Sequence, residues 1–169
     1  TKVASPNVRP LCVGASGKLT ITDNSGTASG SIVTTSTIMF QVYQGELVLE
    51  KGVYLQNYAC DDSVTELVSV IAAFGEQTDR GYTTNITVGE TAVLAAGENN
   101  QGCYVICILP DNGDGPHGYG VKATVSGRLS GMLGMYLNGT IKDTTGSVPQ
   151  VDITEGAVLD GGIYAAGYG

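Results

Sequence analysis

The chain is poor in the residues on which catalytic and nucleic-acid-binding proteins depend. Its 169 residues include no tryptophan, one histidine and 8 Lys and Arg against 16 Asp and Glu, giving a net charge of −8. An acidic balance disfavours nucleic acid and anionic membranes, because both attract a basic surface. The longest apolar run, Leu67 to Phe74, is shorter than the roughly 18 residues that a membrane-spanning helix needs. We therefore expect no nucleic-acid partner and no membrane insertion.

The sequence also lacks a convincing catalytic set. His117 lies in a segment rich in glycine and proline, which is typical of a loop. No Gly-x-Ser-x-Gly motif is present, and the segment 12–19 departs from a phosphate-binding loop because Leu19 replaces the required hydroxyl residue. These absences predict that the protein is not an enzyme and has no organic cofactor.

The best metal candidate in the sequence is a site for a hard cation such as Ca²⁺. Asp111 and Asp114 stand in the segment Asp-Asn-Gly-Asp-Gly, whose carboxylate and amide oxygens suit a hard cation. The spacing departs from the calcium-loop pattern because Gly113 occupies the position of the second oxygen ligand. Asp111 and Asp114 are therefore candidate calcium ligands, with an ordinary polar turn as the alternative.

The cysteines indicate disulfides or buried thiols. Cys12, Cys60, Cys103 and Cys107 lack the CxxC spacing of zinc and thioredoxin-type sites. If Cys103 and Cys107 share a strand, four residues separate them by roughly 13 Å, beyond the roughly 7 Å that a disulfide allows. We therefore expect two bridges that join Cys103 and Cys107 to Cys12 and Cys60 in either order. Four thiols in a reduced compartment are the alternative.

The composition and the frequent turn signals predict a β protein. Valine and threonine favour strands, and many of the 25 glycines fall in turn signals such as Asp23-Asn-Ser-Gly26 and Asn138-Gly139. The second of these is typical of a tight hairpin. The predicted strands are 18–22, 31–43, 46–50, 53–58, 82–88, 91–96, 103–109, 120–126, 135–137, 140–142, 148–153 and 157–164.

These features predict a mainly β fold consisting of one antiparallel β-sandwich, of jelly-roll or immunoglobulin-like type, with about 8–10 strands over residues 18–169. One short helix at 63–74 is expected, because Ser63-Val-Thr-Glu66 forms a capping box and apolar residues follow at helical spacing. The β-branched residues in that segment, and the alternation of Val68, Val70, Ala72 and Phe74, favour a strand instead.

The first 17 residues predict an extended N-terminal arm. Pro6 and Pro10 disfavour a central strand, and scattered apolar side chains could pack on a surface of the same domain or of a neighbouring copy. The residues that we assign to this assembly arm are Lys2, Val3, Val8, Arg9, Leu11 and Val13.

The two ends of the chain carry opposite charge. Residues 1–22 contain three basic residues and no acidic one, whereas residues 143–169 contain four acidic residues and no basic one. This polarity favours head-to-tail contact between copies, although the ends could also lie side by side in a monomer. The final segment, Gly161 to Gly169, has no charge and would be an association patch if it were exposed.

The leading functional hypothesis is an extracytoplasmic, self-assembling structural subunit, either of a filament or pilus or of a virion shell or tube. Its partners would be copies of itself, joined by the N-terminal arm or by strand exchange. An extracellular, cell-surface or virion location fits a charge-poor, Thr-rich β chain that begins at Thr1. The alternative is a monomeric β-sandwich that binds Ca²⁺ or glycans. Asn85 and Asn138 stand in glycosylation sequons.

Overall fold

The computed structural model describes residues 2–3, 11–14, 16–23, 31–34, 38–58, 68–75, 82–97, 103–109, 120–137 and 149–167. Across these ranges the regular elements are all β-strands, and no helix is long and apolar enough to cross a membrane. The strands are β1 (Lys2–Val3), β2 (Leu11–Gly14), β3 (Lys18–Ile21), β4 (Ser31–Thr34), β5 (Ile38–Tyr43), β6 (Glu46–Leu49), β7 (Tyr54–Asn57), β8 (Ser69–Phe74), β9 (Thr84–Val88), β10 (Val93–Ala96), β11 (Tyr104–Ile108), β12 (Val121–Val125), β13 (Arg128–Ser130), β14 (Met132–Leu137), β15 (Gln150–Ile153), β16 (Val158–Asp160) and β17 (Ile163–Gly167).

The strands wind into a β-solenoid with three parallel sheets. Sheet A has the order β1-β4-β7-β10-β13-β16, sheet B the order β2-β5-β8-β11-β14-β17, and sheet C the order β3-β6-β9-β12-β15. Each strand therefore pairs with the strands three places before and after it in the chain. We call β1–β3 the first turn, β15–β17 the last turn, and the strands between them the middle turns.

The mainly β prediction is confirmed, whereas the antiparallel β-sandwich is wrong. Every recorded strand pair among the described residues is parallel. Alternation of apolar and polar residues reveals that one face of a strand is buried, but it does not reveal the direction of the neighbouring strand. The hairpin predicted at Asn138-Gly139 and the strand predicted at 140–142 lie outside the described residues.

The helix predicted at 63–74 is wrong over its described part, because residues 69–74 form strand β8 while residues 63–67 lie outside the described ranges. Strand β8 pairs with β5 on one side and β11 on the other. Val70, Ile71 and Ala73 belong to the main core, and Ala72 belongs to a second apolar cluster. Because both faces of this strand are buried, its sequence is a continuous apolar run, which is the pattern least able to distinguish a strand from a helix.

The core consists of columns of side chains that stack from turn to turn. In sheet A the inward column is Ile32, Leu55, Leu94, Leu129 and Leu159. In sheet B it includes Phe40, Ile71, Ile106, Leu133 and Ile163, and in sheet C it includes Ile21, Leu49, Val88, Val125 and Ile153. Each turn thus supplies a layer that covers the layer before it.

The three corners of the solenoid differ in the length of their connections. After β6, β9, β12 and β15 the chain passes from sheet C to sheet A within two to four residues. From sheet B to sheet C, by contrast, the connections after β8, β11 and β14 span 75–83, 109–120 and 138–149. Long connections therefore leave three successive turns at the same corner.

Candidate functional site: the last turn of the solenoid

The last turn presents apolar side chains that the middle turns bury. Ile153 is 43% exposed although Val125, its partner column residue, is fully buried, and Ile163 is 60% exposed although Leu133 beneath it is 2% exposed. Val158 and Tyr164 are also exposed, at 41% and 44%. Between Gln150 and Ala165 every residue is exposed or half-buried. The inward columns of the core therefore end at an uncovered apolar surface.

Strand β17 is an edge strand without the usual protection against pairing. Its sequence, IYAAG, contains neither a charged residue nor a proline. Among the described strands its recorded partner is β14, which places β17 at one edge of sheet B. An apolar, uncharged edge strand of five residues is the type of surface to which further strands add.

A pair of glycines brings the last turn close to the turn before it. Gly131 has φ of +139°, and a Cβ atom at Gly161 would collide with the Gly131 backbone oxygen. The Gly131 N–H donates to the Asp160 oxygen at 3.0 Å, and the Leu133 N–H donates to the Gly162 oxygen at 2.9 Å. These small residues let the chain pass from sheet A to sheet B without separating the two turns.

Acidic side chains frame the apolar surface. Lys122 Nζ lies 3.1 Å from Asp152 Oδ2, and Arg128 Nη1 lies 3.7 Å from Asp160 Oδ2. The amide of Gln150 donates to Asp152 Oδ1 at 2.6 Å, and this bond and the bond from Lys122 lower the pKa of Asp152. At the other end of sheet C, Lys18 pairs with Glu46 at 2.9 Å. The last turn therefore carries acids at its rim, while the first turn carries an exposed lysine.

Polar side chains also form a network on the outward face of sheet C. The Tyr82 hydroxyl donates to Gln150 Oε1 at 2.8 Å, and Lys122 Nζ lies 5.8 Å from the centre of the Tyr82 ring. Together with Asp152 these side chains connect β12, β15 and the segment that precedes β9. They hold the last turn to the turns before it.

The residues assigned to the N-terminal arm belong in part to the solenoid itself. Lys2 and Val3 form β1, which pairs with β4, and Leu11 and Val13 lie in β2, which pairs with β5. Leu11 is 52% exposed and Val13 is 6% exposed. Val8 and Arg9 lie outside the described residues.

The cysteines do not form the two bridges that the sequence predicts. Cys103 is disulfide-bonded, whereas Cys107 carries a buried thiol. Cys103 lies directly before β11 and packs in the main core, whereas Cys107 lies on β11 and packs with Ala72 and Leu109 in the second cluster. Burial raises the pKa of Cys107 to about 12. Cys12 is exposed with Sγ 3.8 Å from Gln41 Oε1, and Cys60 lies outside the described residues.

The remaining predicted sites are mostly outside the described ranges. Asp111, Asp114 and Asn138 all fall there, in the connections that leave the corner between sheets B and C. Asn85 lies half-buried on β9, and its side-chain amide donates to the Tyr82 backbone oxygen at 3.4 Å. In the described part of the chain no three His, Cys, Asp or Glu side chains are grouped closely enough to hold a metal ion.

Sequence reasoning recognised the uncharged C-terminal segment but missed two members of this surface, Ile153 and Val158. Both lie in segments that were predicted as strands, and their exposure depends only on their position at the end of a stack. The signal that could have found them is the alignment of 150–153 with 122–125 and 158–160 with 128–130 as successive turns.

Comparison with known proteins adds no relative: no protein-family model, curated protein or solved structure matches the chain.

Proposed function

We propose that the chain is a structural subunit that associates with copies of itself, with the last turn of one solenoid covered by the first turn of the next. The observation that carries this proposal is the 60% exposure of Ile163 on β17, the outermost strand of sheet B. Covering one large apolar side chain of this kind contributes about 1.5–3 kcal/mol. The same stacking that buries each middle turn would then bury the last one.

The two ends have compatible chemistry. Leu11, in the same inward column as Ile163, is 52% exposed on the first turn. Each end therefore offers parallel strands with an apolar inward column, and a second copy can continue both. An end-to-end contact of this type is heterologous, so it generates an open filament rather than a closed dimer.

Charge favours contact between unlike ends. The last turn carries Asp152, Glu155 and Asp160 with no basic residue, while Lys18 on the first turn is exposed. Contact between two last turns would place these acids against their own copies, which costs free energy. Head-to-tail contact places them near Lys18 instead.

The disulfide at Cys103 supports an extracytoplasmic location, because disulfides persist mainly in oxidising compartments. The proposed partners are therefore other copies of this chain, at the cell surface, in the extracellular space or in a virion.

Sedimentation velocity of the 169-residue chain tests this function. We expect an average mass that rises with concentration in the unmodified chain, and a monomer for Ile163→Lys, which places a charge on the exposed end. Tyr43→Lys is the matched control, since Tyr43 is also exposed on sheet B, at 37%, but belongs to a middle turn. The control should associate as the unmodified chain does.

The dependence of association on ionic strength tests whether unlike ends are in contact. Head-to-tail association should weaken as ionic strength rises, because screening reduces attraction between unlike ends. An unmodified chain that stays monomeric at its highest soluble concentration would overturn the proposal. Association that strengthens with salt and survives Ile163→Lys would overturn it as well.

A further inference from the structure

Four side chains on the outward face of sheet C surround one amide group. Lys122 on β12 and Gln150 on β15 are paired in register, so their side chains lie next to each other. Asp152 lies two residues further along β15 on the same face, and Tyr82 lies two residues before β9. All four residues are half-buried. The group therefore combines a primary amine, a primary amide, a carboxylate and a phenol.

The carboxylate of Asp152 holds the amine and the amide at the same time. Lys122 Nζ lies 3.1 Å from Asp152 Oδ2, and Gln150 Nε2 donates to Asp152 Oδ1 at 2.6 Å. The two nitrogen atoms are thus bound to the two oxygens of one carboxylate, which brings a nucleophile next to an acyl group. Groups held together in this way react much faster than the same groups free in solution, because the entropy cost of their encounter is already removed.

The phenol of Tyr82 polarises the same amide. Its hydroxyl donates to Gln150 Oε1 at 2.8 Å, and this is the oxygen on which negative charge develops when an amine attacks the carbonyl carbon. The centre of its ring lies 5.8 Å from Lys122 Nζ, which holds the amine close to the amide. The four residues therefore supply a nucleophile, an acyl donor, a proton acceptor and a hydrogen-bond donor for an oxyanion.

We propose that Lys122 and Gln150 join in an intramolecular isopeptide bond, in a reaction promoted by Asp152 and Tyr82. Lys122 Nζ attacks Gln150 Cδ, and the oxyanion that forms accepts the hydrogen bond from Tyr82. Asp152 takes a proton from Nζ and delivers it to Nε2. The Cδ–Nε2 bond then breaks, ammonia leaves, and the Cδ–Nζ bond remains. The reaction needs no oxidant or reductant, and Asp152 returns to its ionised form.

The charges around Lys122 set the pH at which the bond forms. The hydrogen bonds from Gln150 and from Lys122 lower the pKa of Asp152, so its carboxylate remains ionised and accepts protons. In the same outward column, Asn85 on β9 separates Lys122 from Glu46 on β6. Only an unprotonated amine attacks a carbonyl carbon, and lysine amines are ordinarily protonated at neutral pH. The unlinked chain therefore persists at neutral pH, and linkage accelerates as the pH rises.

The bond fastens two neighbouring turns to each other. It joins β12 to β15, so these strands of sheet C can no longer separate completely. It constrains the unfolded chain as a disulfide does, but reducing agents do not break it. All four groups lie within one chain, so the bond forms whether or not copies associate.

Peptide mapping by tandem mass spectrometry tests the bond. The chain is incubated without denaturant at pH 7 and at pH 9 and then digested with trypsin, which cleaves after Arg128 and Lys142, between the two linked residues. We expect two peptides joined through Lys122 and Gln150, lighter by one ammonia than their sum, that accumulate faster at pH 9. Absence of this pair at both pH values, in a chain that circular dichroism shows to be folded, overturns the proposal.

Three variants test the assigned roles. Lys122→Arg keeps a cation beside Asp152 but removes the nucleophile, so the linked pair should disappear. Asp152→Ala removes the proton acceptor and should slow linkage about 100-fold or more. Tyr82→Phe removes the donor to the oxyanion and should slow linkage about tenfold or more. Linkage at an unchanged rate in Asp152→Ala and in Tyr82→Phe would overturn the promoted reaction.

The pair Lys18 and Glu46 is a matched control within the same chain. These residues are paired in register on β3 and β6 and lie 2.9 Å apart, but Glu46 offers a carboxylate where Gln150 offers an amide. No peptide joined through Lys18 should appear. Succinimide formation at Asn138-Gly139 also releases ammonia, but it joins no peptides and persists in Lys122→Arg. Linkage through Gln150 that is equally fast in concentrated urea contradicts a reaction that depends on the folded chain.

Discussion

The middle turns and the last turn use the same residue types in the same columns but bury them to different extents. Ile71 and Ile106 are fully buried, while Ile163 in the same column of sheet B is 60% exposed. Leu49 is likewise fully buried, and Ile153 in its column is 43% exposed. Burial in this fold therefore depends on the neighbouring turn, and an apolar side chain on the last turn stabilises the chain fully only when something covers it.

The largest expected effect is the contrast between two alanine substitutions in one column. Ile106→Ala should lower the free energy of unfolding by about 2–5 kcal/mol, because it removes fully buried methylene groups and leaves a cavity. Ile163→Ala should cost less than about 1 kcal/mol in the monomer, since its side chain is already exposed to water. Urea denaturation at a concentration where the chain is monomeric checks both values. Equal losses would contradict the dependence of burial on position.

The buried thiol of Cys107, in a middle turn, should make the free energy of unfolding fall at high pH. Burial raises the pKa of Cys107 from 9.0 to about 12, so the unfolded chain releases this proton before the folded chain does. Stability should fall by up to about 1.4 kcal/mol per pH unit between those two values. Chemical denaturation from pH 8 upwards, with Cys107→Ala as the reference, measures the difference. A pH dependence that is the same in both chains would exclude this cause.

Two adjacent glycines, Gly161 and Gly162, allow a test of how tightly the last turn packs on the turn before it. Gly161→Ala should weaken the last turn by about 1–3 kcal/mol, because its methyl group would collide with the Gly131 backbone oxygen. Gly162→Ala is the matched control, since a Cβ there meets nothing within 4 Å. Hydrogen exchange should accelerate at the β17 amides in Gly161→Ala alone. Acceleration in both variants would show that the corner needs glycine for another reason.

The smallest effect is expected at the charged rim. The hydrogen bond from Gln150 and the bond from Lys122 lower the pKa of Asp152, so its carboxylate stabilises the fold above the ordinary value of 3.8. That contribution is lost as the pH falls through the lowered folded-state pKa. Asp152→Asn should remove this acid dependence and change stability at neutral pH only slightly, since the pair is exposed. Thermal unfolding between pH 2 and 7 compares the two chains.

Local sequence patterns predicted many strands but not their arrangement. The predicted strands at 46–50, 120–126 and 148–153 match β6, β12 and β15 to within two residues. The sequence does not predict which strands pair, because the number of residues along the chain between stacked positions varies. Leu19, Leu47, Ile86, Ala123 and Val151 occupy one column at separations of 28, 39, 37 and 28 residues. Without a constant period, the sequence shows strands and turns but no repeat.

The candidate site could be predicted from the sequence only in part. The missing charges at 161–169 and the acids at 152, 155 and 160 are visible in the sequence and indicate an association surface. The exposure of Ile153 and Val158 is not visible, because it arises from their place at the end of a stack rather than from their neighbours in the chain.

The unequal corners have a consequence for how such a chain can change. Most connections from sheet C to sheet A have two to four residues, although the one after β3 spans 22–30. At the corner between sheets B and C, connections of two residues and of twelve, at 44–45 and 109–120, join equally well-paired strands. Lengthening a connection at that corner leaves the ladders above and below it unchanged. The solenoid can thus serve as a graduated scaffold, with sites for inserted peptides spaced about 4.8 Å apart along one edge.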